Sequence, residues 1–123
     1  MTGIAEGTNL VPGEAVADPL RLERYRLHAE ICKVLTDPKR LMLIDALRPG
    51  EMSVGELARV VRLSLANVSQ HLAVLRHAGL VETRRAGTTV HYRLSEPELV
   101  AACDIIERIV SRRLGRANER AEN

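Results

Sequence analysis

The stretch MSVGELARVVRLSLANVSQHLAVLRHAGLVE, residues 52–82, decides how this chain folds. Ser53 followed by Glu56 is the S-x-x-E capping box that opens a helix, and Val54, Leu57, Ala58 and Val61 fall on its inward side. After a tight turn, Ser64 supplies a second N-cap. The helix that follows runs from Leu65 to Ala78 and stops at Gly79, the residue type that suits a left-handed C-terminal cap. At about 1.5 Å per residue it is about 21 Å long, enough to lie along a groove. A turn of about 100° per residue puts Val68, Leu72 and Leu75 on its buried side, with Leu65 close by. Ala66, Gln70, Ala73, Val74 and His77 face away, flanked by Asn67 and Ser69.

Downstream of Gly79 the period changes from 3.6 to 2. Val81 and Thr83 form one strand and Val90, Tyr92 and Leu94 another, joined across Arg85, Ala86, Gly87 and Thr88 as a hairpin with a basic tip. Ser95 and Glu98 make a second S-x-x-E box, after which Leu99, Cys103, Ile106 and Val110 recur as an apolar helical seam. This helix is expected to end near Gly115, where Arg112, Arg113 and Arg116 suit the negative end of its dipole. Upstream, Asp18–Pro19 and Asp37–Pro38 each pair an N-cap with a proline at the first helical position. The helix from Pro38 contains LMLIDAL, residues 41–47, stops at Pro49 and Gly50, and is the expected central core element. The helix from Pro19 to Leu35 carries two apolar rows, one of Leu22, Tyr25, Ala29 and Cys32 and one of Leu27, Ile31 and Val34, and is expected to bury both. Residues 1–18, with no clear period, read as a mobile tail and residues 116–123 as a C-terminal tail. The expectation is one domain over residues 19–115, mainly α with a small β-hairpin, in the order ααααββα.

A chain of 123 residues with 46% hydrophobic and 28% charged residues can bury one core. That core is aliphatic, because Tyr25 and Tyr92 are the only aromatics, and base-stacking platforms are excluded with it. Cys32 and Cys103 are far apart and no Cys-x-x-Cys occurs, which excludes a zinc ribbon and disfavours a secreted disulfide scaffold. No Lys or Arg precedes residue 21 and no apolar run reaches the ~18 residues of a membrane span, so a cytoplasmic protein without a membrane partner is expected. No paired carboxylates, nucleophile with a base, or phosphate loop points to an enzyme, and His28, His71, His77 and His91 lack catalytic companions. No cofactor is implied.

The formal net charge is only +2, but it is unevenly placed. Between residues 58 and 93 stand Arg59, Arg62, Arg76, Arg84, Arg85 and Arg93 against the single acid Glu82, a local excess that suits a polyanion. A solvated helix face would carry such charge equally well.

Two capped helices around a tight turn, followed by a basic hairpin, are the parts of a winged helix-turn-helix. Read that way, Asn67, Ser69 and Gln70 near the start of the second helix face base edges, and Asn and Gln can bond adenine in bidentate fashion. Ser64 stands at the same helix start, and Ala66 and Ala73 permit close approach. Arg62, Arg76, Arg84 and Arg85 are placed as phosphate clamps, with Thr88 and Thr89 beside Gly87 at a wing tip that can approach a backbone or minor groove. His71, about 60° from Val68 on the wheel, reads as a half-buried packing residue or a phosphate contact. His91 reads as an exposed strand residue.

These residues resemble the ArsR family, also called ArsR/SmtB, of winged helix-turn-helix repressors. The likeness runs from about Ala29 to Val110, through LTDPKRLMLIDAL, the stretch quoted above and GTTVHYRL. It implies a cytoplasmic homodimer formed by the first and last helices, which binds double-stranded DNA at a palindromic operator and releases it when a metal or thiol-reactive inducer binds. The family's inducer sites match less well. Its third-helix metal box would need cysteines around Val54 to Leu57, and there are none. Its zinc site on the last helix falls on Glu96, Glu98, Ile109 and Arg112, and its dithiol sulfide sensors place a cysteine where Asp45 or a neighbour stands. Cys32 and Cys103 remain, on the two helices that the family brings together. They fit packing stripes as small apolar residues. As an inducer site, a redox or persulfide switch using both thiols leads. A metal or arsenite site is the alternative, helped by the i, i+4 pairs His28/Cys32 and Cys103/Glu107. A winged-helix protein-interaction module without strong DNA binding is a further alternative, though it would not need Arg84 and Arg85.

Overall fold

The helix starts marked by local chemistry are present in the computed structural model, which describes residues 18–122. Most of the expected N-terminal tail, residues 1–17, therefore lies outside the described residues. The elements are α1 (Pro19–Val34), α2 (Pro38–Ala46), β1 (Met52–Ser53), α3 (Val54–Val61), α4 (Leu65–His77), β2 (Val81–Ala86), β3 (Thr89–Leu94) and α5 (Leu99–Glu122). The chain divides into two units between Lys33 and Val34.

In the first unit, the Asp18 carboxylate accepts from the Leu20 amide at 3.0 Å and caps α1. No residue of α1 is buried. The expectation that it buries two apolar faces is thus not met within one chain: Leu22, Tyr25, Leu27 and Ile31 are all exposed.

The second unit is organised by its caps. Asp37 accepts from the Lys39 amide at 2.7 Å to start α2. Ser53 and Glu56 exchange both bonds of the capping box at 3.2 and 3.0 Å to start α3. Ser64 accepts from the Asn67 amide at 3.1 Å to start α4. The end of α4 is a Schellman motif: Gly79 sits at φ +78°, its amide donates to Arg76 O at 2.9 Å, and the Leu80 amide donates to Leu75 O at 2.9 Å. Leu75 and Leu80 are both buried, which adds the hydrophobic contact that usually accompanies this motif.

The core is wholly aliphatic. It comprises Leu43, Ile44 and Leu47 around α2, Leu57 and Val61 of α3, Val68, Leu72 and Leu75 of α4, and Leu80, Val81 and Leu94 of the sheet and its approach. No polar side chain is buried with them among the described residues.

The sheet order is β1-β3-β2, all antiparallel. Pairing of Ala86 with Thr89 makes the hairpin turn two residues, Gly87 and Thr88, rather than the expected four, and Gly87 supplies φ +62°. β1 was not expected, since two residues carry no readable period. It covers one edge of β3 through Met52↔Tyr92 and Ser53↔His91, and so leaves His91 half-buried instead of exposed.

Three further expectations are corrected. Leu65 is 59% exposed, because it is the first residue of α4 and lies about 60° off the line through Val68. Ser95 does not cap α5: its amide donates to Leu80 O at 3.0 Å and belongs to the sheet, while Leu99 bonds back to Glu96 O and the helix begins at Leu99. α5 does not end near Gly115 but continues to Glu122, so residues 116–122 are helix rather than tail. One glycine weakens a helix interior by about 1 kcal/mol, too little to stop it. α5 has no buried residue. Arg48 ties it to the end of α2, donating to both Asp104 carboxylate oxygens at 3.0 and 2.9 Å and to Asp45 at 2.9 Å.

Candidate nucleic-acid interface

The turn between α3 and α4 is made by Arg62, the one non-glycine residue with positive φ (57°) among the described residues. Its left-handed conformation ends α3, and two residues later Ser64 starts α4. The inner face of α4 is fully buried at Val68, Leu72 and Leu75, which fixes its rotation. Ala66, Ser69, Gln70, Ala73, Val74 and His77 are therefore exposed together, with Asn67 half-buried beside them. This outward face carries no acid, and its polar groups of amide and hydroxyl type are those that pair with base edges.

His71 is half-buried, where the helical wheel puts it. Its Nδ1 lies 3.4 Å from Arg40 Nη1. Arg40, on α2, donates from Nε to Val34 O at 2.6 Å and stands 3.8 Å from the Asp37 carboxylate. The Lys39 amide holds the Asp37 carboxyl below the usual carboxylate range, and the nearby His71 and Arg40 add to this. Arg40 thus links the start of α2 to α4, a role that sequence reasoning missed because its partners lie 6 and 31 residues away.

The arginines divide into two groups. Arg93 pairs with Glu82 at 3.6 Å. Arg84 is held by the carboxylate of Glu51, with Nε 3.2 Å from both oxygens and Nη2 in contact with Oε1. Arg84, expected as a phosphate clamp, is thus ion-paired rather than free. Arg62, Arg76 and Arg85 are exposed and make no ion pair among the described residues. Thr88 and Thr89 are exposed at the hairpin tip.

The cysteines are both free thiols. Cys32 is exposed on α1. Cys103 is half-buried on α5, in a groove of about 420 Å³ lined by Leu35, Leu41, Ile44, Ile106 and Val110. Burial pushes the Cys103 thiol up, against the opposing pull of Arg48, and so favours its protonated form. Among the described residues no group of three or more His, Cys, Asp or Glu could hold a metal ion, and no helix is long and apolar enough to cross a membrane.

A capped pair of helices, the second with one face sealed in the core and the other turned out beside a basic antiparallel hairpin, defines a winged helix-turn-helix domain. A family model described as a helix-turn-helix domain matches residues 35–84. The chain is 48% identical over 77 residues to the HTH-type transcriptional regulator KmtR of Mycobacterium tuberculosis, a match covering 63% of this chain and 59% of that protein. It resembles the crystal structure of the transcriptional repressor BigR from Xylella fastidiosa, with 42% identity, a TM-score of 0.63 and coverage of 69% of this chain and 90% of that one. A solution structure from Mycobacterium bovis, described as a homodimeric winged helix-turn-helix DNA-binding domain of a possible ArsR-family regulator, aligns with a TM-score of 0.69. It is 26% identical and the alignment covers 85% of this chain and 94% of that one. The chain belongs to the ArsR/SmtB family of winged helix-turn-helix transcriptional regulators.

Proposed function

We propose that this chain is a sequence-specific DNA-binding transcriptional regulator, a homodimeric repressor that an inducer releases from a palindromic operator in the cytoplasm. The observation that carries the reading is the exposed face of α4, free of acids and rich in small and amide side chains, on a helix whose opposite face is fully buried. Ser64, Asn67, Ser69 and Gln70 serve as base or backbone partners near its start, and Ala66 and Ala73 allow close approach. Arg62, Arg76 and Arg85, which pair with no carboxylate among the described residues, serve phosphates, with Thr88 and Thr89 at the wing tip. His71, half-buried and 3.4 Å from Arg40 Nη1, serves as a packing residue or phosphate contact rather than a base reader. The names of KmtR and BigR support regulation and repression, and the homodimeric relative supports pairing of two copies. The exposed apolar side chains of α1 and α5 supply surface for that pairing.

The inducer reading is a thiol switch at Cys32 and Cys103. The exposed Cys32 is the thiol that reacts first, since the burial that raises Cys103 lowers its thiolate fraction.

Fluorescence anisotropy with DNA from upstream of the chain's own gene, against random DNA of equal length, tests the main reading. Gln70→Ala is expected to cost about 1–3 kcal/mol at one base pair in each half-site. Arg85→Ala is expected to weaken all DNA alike and to flatten the slope of log K against log salt by about 0.9 per phosphate. Salt-insensitive binding that does not distinguish the two DNAs overturns the reading. For the switch, release by diamide or polysulfide should vanish in both Cys32→Ser and Cys103→Ser, and release that persists in either removes that cysteine from it.

A further inference from the structure

Side chains alternate across the sheet, so Arg84 and His91, paired directly between β2 and β3, share one face, and Ser53 of β1 completes the row beyond His91. The residue just before β1 is Glu51. The register of β1 on β3 therefore fixes where the Glu51 carboxylate stands, and it stands over Arg84. The contact is bidentate: Arg84 Nε lies 3.2 Å from each carboxylate oxygen, and Nη2 bonds Oε1. The bond from Arg84 holds the Glu51 carboxyl below the usual range, and the charges of His91 and Arg93 add to that. Arg85, one residue along the wing, makes no such pair among the described residues and lies on the opposite face of the strand.

We propose that Glu51 sets the electrostatic footprint of the wing: it retains Arg84 as a strut between wing and body, leaving Arg85 to neutralise phosphate. This rests on the DNA-binding reading above and deepens it by naming a residue that limits affinity. Exposed ion pairs are weak on average, but bidentate arginine–carboxylate geometry is the exception. Glu51 also places its own negative charge where a phosphate would have to come to claim Arg84. The phosphate term supplies nearly all non-specific binding. An acid that subtracts one arginine from each wing thus lowers the grip on every DNA sequence without touching the residues that read bases. Glu51 would be a restraint on indiscriminate binding.

The test is a salt titration of operator and random DNA with the full-length protein and three variants, E51Q, R84A and the double variant, each first checked for unchanged thermal unfolding. Glutamine keeps the size of Glu51 and one acceptor oxygen but removes its charge and its second acceptor, which releases Arg84 with little change of shape. E51Q is expected to steepen the slope of log K against log salt by about 0.9 per wing, or about 1.8 for a dimer. It should tighten operator and random DNA by the same factor. Between 50 and 200 mM salt the extra loss of affinity is then about 3.5-fold per wing. R84A alone leaves the Glu51 carboxylate unpaired and should weaken binding to both DNAs, whereas the double variant, in which both charges are gone, should return to the wild-type slope. A slope unchanged by E51Q, or a gain from E51Q that survives in the double variant, overturns the proposal while leaving the regulator reading intact. Failure of the wild-type protein to bind either DNA removes both.

Discussion

α4 and α5 lie in the same unit and both carry apolar side chains at helical spacing, yet they end up in opposite conditions. α4, with 13 residues, buries Val68, Leu72 and Leu75 completely. α5, with 24 residues, buries none, and Ile105, Ile106, Ile109, Val110 and Leu114 remain 38–61% exposed. Periodicity tells which side chains line up, and it is silent on whether the surface they meet belongs to the same chain. A seam of this kind left open on a regulator with homodimeric relatives is what a second copy would cover.

The most severe way to probe this contrast is to truncate each seam. Leu72→Ala should destabilise the fold by about 2–5 kcal/mol in urea denaturation, since it opens a cavity in a sealed core. Ile106→Asp should leave helicity and monomer stability nearly unchanged and should shift the sedimenting species from dimer to monomer. If Ile106→Asp unfolds the chain as Leu72→Ala does, the distinction between the two helices collapses.

Arg62→Gly offers a smaller effect with two opposite signs. Removing the side chain from a left-handed position relieves about 1 kcal/mol of backbone strain, and thermal unfolding should rise accordingly. On the proposed reading of Arg62 as a phosphate partner, the same change should lower DNA affinity for all sequences. A rise in both would take Arg62 out of the interface.

The smallest effect concerns how α5 is tied down. The bonds from Arg48 hold the Asp104 carboxyl below its usual range. A depressed carboxyl contributes stability that is present above its unfolded pKa and is lost as pH falls through its folded one, so the window lies below about pH 4. Urea midpoints measured down to pH 3 should fall less steeply for Asp104→Asn than for wild type. Parallel curves would show that α5 is held by its partners alone and not by Arg48.

What could be read in advance follows from the range of the interaction. The caps at Asp37, Ser53 and Ser64, the stop at Gly79 and the hairpin are decided within a few residues, and each was legible. So was the buried side of α4, because Val68, Leu72 and Leu75 repeat within a single helix. β1 was not, since two residues become a strand only by meeting β3. Ser95 offers the same S-x-x-E pattern as Ser53, but its amide is taken by Leu80 O, so a local motif lost to a tertiary bond. The wing charge suffered most: six arginines against one acid, counted along the chain, omit Glu51, which lies 33 residues from Arg84 and outside that window. The exposed side of α4 was thus visible from sequence, and the arginines without a carboxylate partner among the described residues only after the ion pairs were known.

The tie between Arg48 and Asp104 has a mechanical consequence. Asp104 lies near the start of α5, and the helix runs on to Glu122, about 27 Å further at 1.5 Å per residue. α5 is therefore a lever with its fulcrum beside α2. A rotation of about ten degrees at the fulcrum carries the far end by about 5 Å, close to one helical pitch. A displacement of that size is comparable to the one-turn shifts by which one packing arrangement gives way to another.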